Sequence, residues 1–127
     1  MNDSTETEDG TACGMNAYAD KGEKSTISSL SRVMTNVAEW IEGSSGAFLG
    51  HVKMAVITGP NTMTLSLTNL KKGVDRRGSW SDGTPVEIKF MAAVVDIDHD
   101  ELSEKMRAAL ISEGFRIKDK RKIVELR

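Results

Sequence analysis

Residues 86–97 read VEIKFMAAVVDI, and the architecture follows from how that stretch alternates. Side chains of a strand point to opposite faces in turn. Val86, Ile88, Phe90, Ala92 and Val94 therefore share one face, and Glu87, Lys89, Met91, Ala93 and Val95 share the other. The first face is apolar throughout. The second begins charged and turns apolar at Met91. A strand that is apolar on both sides is normally covered on both sides, so this segment demands a core on one face and some cover for the C-terminal half of the other.

Working upstream, residues 47–58, AFLGHVKMAVIT, show the same period of two. Val52, Met54 and Val56 point one way; His51, Lys53, Ala55 and Ile57 point the other. Gly59-Pro60-Asn61-Thr62 is a turn signal. Met63, Leu65 and Leu67 then alternate with Thr64, Ser66 and Thr68, which predicts a hairpin. Gly50 reads as a point where the strand bends. Residues 69–85, NLKKGVDRRGSWSDGTP, form a long connection of a kind that is often mobile or functional, with room for a short strand around Arg77–Trp80.

Helical spacing appears on either side of this β region. Ile27, Leu30, Val33, Met34, Val37, Ala38 and Ile41 recur with helical period, which predicts a helix over 26–42, capped by Ser25 or Ser28 and stopped by Gly43-Ser44-Ser45-Gly46. Asp98 with Glu101 forms a capping-box pattern before a second helix that buries Leu102, Met106, Ala109 and Leu110 and ends at Gly114. Phe115–Ile117 and Lys122–Leu126 are candidate closing strands. Residues 1–24 are polar and acidic with few large apolar side chains, too few to offset ordering entropy. They are expected to be a disordered tail that carries Cys13 and Tyr18, leaving 25–127 as a single α+β domain.

The expected order is α-β-β-β-α-β. Two amphipathic helices and strands with one apolar face pack most simply as a two-layer sandwich, both helices on one face of a mainly antiparallel sheet. The order resembles the general ferredoxin-like layout without its usual first strand, a resemblance of architecture that carries no function.

With 127 residues, 39% of them hydrophobic, the chain makes one domain. Its net charge of −2 excludes a general polyanion binder but leaves room for a local basic patch. One cysteine excludes an internal disulfide. No apolar run is long enough to span a bilayer, and the acidic N-terminus lacks signal-peptide features. A cytoplasmic location with no membrane association is expected. The common nucleotide, zinc and hydrolase motifs are absent from the sequence, and no cofactor is expected.

Three groups of residues could carry function. On the sheet face away from the helices, His51 and Lys53 stand with Thr64, Ser66, Thr68, Glu87 and Lys89, and the apolar Leu49, Ala55, Ile57, Met91, Ala93 and Val95 form an interface patch. The connection 69–85 gathers Lys71, Lys72, Arg76, Arg77 and Trp80, cations with an aromatic that suit a phosphate or a base. Arg116, Lys118, Lys120, Arg121, Lys122 and Arg127 form a second basic cluster. Asp96, Asp98, His99, Asp100 and Glu101 do not match an EF-hand spacing, and the helix cap accounts for two of them, so no metal is expected. The first reading is a non-enzymatic interaction module, a homo-oligomer or a binder of a protein partner through its sheet face. The second is a phosphate-ligand or RNA-binding domain using the 71–80 loop. The third is an enzyme centred on His51.

Overall fold

The structure, a computed structural model, describes residues 10–48 and 50–118. It begins with a strand where a disordered tail is expected. Gly10–Ala19 (β1) is followed by a helix, Lys24–Ser45 (α1), three strands, Gly50–Thr58 (β2), Asn61–Leu67 (β3) and Asp75–Gly78 (β4), and the long strand Val86–Val95 (β5). A second helix, His99–Ser112 (α2), and a short strand, Arg116–Lys118 (β6), complete the order. The two-layer α+β sandwich stands, with β1 added to the expected elements and the short strand of the 69–85 connection lying at Asp75–Gly78 in place of Arg77–Trp80. Residues 1–9, Leu49 and the candidate strand at Lys122–Leu126 lie outside the described residues.

The sheet is antiparallel throughout, in the order β4-β3-β2-β5-β1-β6. β1 and β2 flank β5 and are parallel to each other, joined through α1. β5 and β6 flank β1 and are parallel to each other, joined through α2. The two connections run in opposite directions along the sheet from strands of opposite sense. Given the right-handed preference of such crossovers, both helices fall on the same face. This is the layout lacking only its first strand in the sequence reading; residues 10–19 supply that strand, and β3–β4 widen the sheet at one edge.

β1 escapes an apolar-pattern reading because its neighbours carry the bulk. Ala17 pairs with Ile88, Met15 with Phe90 and Cys13 with Ala92. Small side chains fit between β5 and α2, and Thr11, Cys13 and Ala17 are buried there. The Thr11 hydroxyl donates to the Ile97 carbonyl at 2.7 Å, so its burial leaves no unmet polar atom. Cys13 is a core residue, and burial pushes its thiol pKa up, which favours the unreactive thiol form.

α1 buries the seven residues expected of it. Its N-cap is Glu23 in place of Ser25 or Ser28, with a reciprocal box in which the Glu23 backbone N–H donates to the Thr26 hydroxyl at 3.0 Å. Gly46, at φ 90°, closes the helix in a left-handed conformation that suits glycine. In α2 the Asp98 carboxylate accepts from the Glu101 N–H at 3.1 Å, as expected of a cap. α1 packs over β2 and β3 and α2 over β1 and β6, enclosing Leu30, Met34, Ile41, Phe90, Ile88 and Met106.

Candidate interaction face

With both helices on one side, the other side of the sheet carries the outward residues of all six strands. The register fixes their neighbours. Met91 stands opposite Gly14 on β1 and Lys53 on β2; Ala93 stands opposite Ala12 and His51; Val95 stands opposite Gly10. Met91 is 54% exposed; among the described residues Ile111 on α2, at 57%, is the other large apolar side chain left exposed. Ala93 and Val95 are half-buried. Beside Met91, the side-chain-poor positions Ala12, Gly14 and Ala93 leave a shallow trough of about 260 Å³, walled by Met91 and His51.

Ala55 and Ile57 are outward-facing and half-buried as expected, but they do not extend the Met91 patch. Ala55 pairs with Lys89 and Ile57 with Glu87, so charged side chains interrupt the apolar surface. The apolar strip instead runs across β5 onto β1, a direction the sequence reading missed because it placed those β1 residues in the tail. Among the described residues Lys53 and Lys89 make no ion pair. The patch therefore has two ammonium groups along one border, of which Lys89 also acts on the nearby Glu87 carboxylate.

The acid–base grouping of His51 with Lys53 and Glu87 does not assemble. His51 shares a row with Ala93, whereas Glu87 shares one with Ile57, six residues further along β2. At ~3.4 Å per residue the two are roughly 20 Å apart.

The connection 69–85 is tied down. The Asn69 side chain accepts from the Lys71 N–H at 2.8 Å, Ser79 N–H donates to the Thr62 carbonyl at 3.1 Å, and Ser81 N–H donates to the Thr58 hydroxyl at 2.9 Å. Lys71, Lys72, Arg76 and Arg77 are exposed, and Arg77 pairs with Asp75 at 3.1 Å. Trp80 is half-buried, its ring lying over Gly22 and beside Val86, with its indole N–H donating to Asp82 at 2.5 Å. It packs against one end of the core. Arg116 and Lys118 lie on β6, at the opposite edge of the sheet from β4. Five strand spacings of ~4.8 Å put the clusters roughly 24 Å apart, so these described parts do not merge into one basic surface. Lys120, Arg121, Lys122 and Arg127 are outside the described residues.

At the end of the open face away from Val95, Tyr18 and Ile57 border a second hollow, about 450 Å³, with Ala19, Pro85 and Val86 adding apolar wall. Arg116 and Lys118 both lie over the Tyr18 ring, 5.6 and 5.9 Å from its centre. Lys118 donates to Glu87 at 3.0 Å and Arg116 to Asp20 at 2.9 Å. The hydrogen bond and charge of Lys118 hold the Glu87 carboxyl below its ordinary value.

Among the described residues there is no cluster of three or more groups that could hold a metal ion, and no helix is long and apolar enough to cross a membrane. Compared with known proteins, the chain matches no family model, no curated protein and no solved structure.

Proposed function

We propose that this chain is a non-enzymatic interaction module that works through its helix-free sheet face, and that a second copy of the chain is an occupant of that face. The observation that carries the reading is a knob beside a hole: Met91, 54% exposed, next to the trough over Ala12, Gly14 and Ala93. A twofold axis between the two would seat each Met91 in the other copy's trough. Such self-complementarity is what an isologous interface requires. Burying the thioether would also remove an exposed apolar side chain that has no cover from the helices.

The apolar strip spans only β5 and β1, well short of the ~800 Å² per partner of a standard stable interface. A weak, reversible dimer is therefore expected. Lys53 and Lys89 border the strip, and two copies would bring these like charges together, so association should strengthen as salt screens them. Binding of a polyanion would show the opposite salt dependence. The variants that test the reading are Met91→Asp and Val95→Asp. Each places a carboxylate in the interface, where an unpaired charge is costly, and should give a folded monomer. Self-association undiminished in both would remove this face from consideration.

A further inference from the structure

We propose that the hollow between Tyr18 and Ile57 is a binding site for a small primary amine with an apolar body, and that the chain's own Lys118 occupies its ammonium position. This goes beyond the interaction reading, since Tyr18 lies four residues from Gly14 along β1, ~13 Å from the Met91 trough.

The argument starts from what Lys118 does. Its ammonium makes a 3.0 Å bond to Glu87 and lies 5.9 Å from the centre of the Tyr18 ring. A carboxylate and an aromatic face together are the chemistry that recognises an ammonium group. Here they stand at the rim of a hollow whose walls, Ile57, Pro85, Val86 and Ala19, suit an apolar body. At about 450 Å³ its volume falls within the range of small-molecule sites. Asp20 and Glu87 both line it; Arg116 engages Asp20, so once Lys118 is displaced Glu87 is the carboxylate left to meet an ammonium group.

Lys118 is also easy to displace. It ends a three-residue strand at the sheet edge, and its side chain is 45% exposed. An ion pair so exposed contributes little to stability. An incoming amine would take over the contacts with Glu87 and Tyr18 and place its apolar body against Ile57 and Pro85. Arg116 remains 5.6 Å from the centre of the ring, held by Asp20.

The test is a titration of the full chain with 2-phenylethylammonium, followed by the NMR signals of Tyr18, Ile57 and Glu87, with 3-phenylpropanoate as the matched anion. The ammonium should shift these signals and the carboxylate should not. Lys118→Ala removes the internal competitor and should tighten amine binding about two- to fivefold, whereas Glu87→Gln should weaken it. Met91→Asp should leave amine binding unchanged, whatever it does to self-association. Binding of the carboxylate in preference to the amine, weaker amine binding in Lys118→Ala, or no shift with the amine at millimolar concentration would each overturn the proposal.

Discussion

Gly14 faces Met91 directly across the β1–β5 ladder, so the exposed thioether rises beside a position with no side chain. A Cβ built on Gly14 would sit 3.7 Å from Met91 Cγ, an ordinary contact. Gly14→Ala should therefore fit the monomer. It should stabilise the fold by about 0.5–1 kcal/mol, because glycine weakens a strand interior, while filling the trough and weakening self-association. Thermal denaturation and sedimentation of the same variant would show the two effects with opposite signs. A loss of stability, or a dimer undiminished, would contradict the proposed geometry.

Deleting residues 1–24 should abolish the fold. The deletion removes β1, which pairs with β5 on one side and β6 on the other, and with it the fully buried Ala17. A soluble, cooperatively unfolding fragment 25–127 would mean that β1 is not integral to the sheet.

At Gly22, an added methyl would meet Val86 Cγ2 at 2.5 Å and Trp80 Cζ2 at 2.8 Å. Gly22→Ala should cost about 1–3 kcal/mol through overpacking. Combined with Trp80→Ala it should cost less than the sum of the single changes, since one clash partner is gone. Denaturant titrations of the four proteins measure that coupling, and strict additivity would place Trp80 elsewhere.

The lowered pKa of Glu87 fixes the sign of a pH effect. Its ordinary value is 4.5, and pairing with Lys118 keeps the carboxyl ionised to lower pH in the folded chain. The pair's contribution is present above that ordinary value and is lost as pH falls through the depressed one. An NMR titration of Glu87 should show the depression, and Lys118→Ala should move the midpoint back up. An unchanged midpoint would mean that another group holds the carboxylate.

Where apolar side chains set the period, sequence and structure agree: β5, the β2–β3 hairpin, and the buried stripes of α1 and α2. β1 was illegible for the reason that it fits. Set beside Phe90 and Ile88, it needs only Cys13, Ala17 and partly covered Met15, and small residues give a weak hydrophobic signal. A clue was available, because residues 10–19 contain no charge and no proline and directly follow an acidic run. The outward residues of β5 and β2 were legible from alternation, but their neighbours were not. Only the register shows that Lys89 and Glu87 interrupt Ala55 and Ile57, or that Gly14 opens a trough beside Met91. Trp80, read as a stacking aromatic, also packs over the side-chain-free Gly22, a packing relation between residues far apart in sequence.

Sedimentation equilibrium of the unmodified chain, over a wide range of protein concentration and from about 0.05 to 0.5 M salt, tests the central claim most directly. The account predicts a reversible monomer–dimer equilibrium that shifts toward dimer as salt rises, because Lys53 and Lys89 border the interface. A monomer at every concentration and salt, or a dimer that dissociates as salt rises, would contradict it.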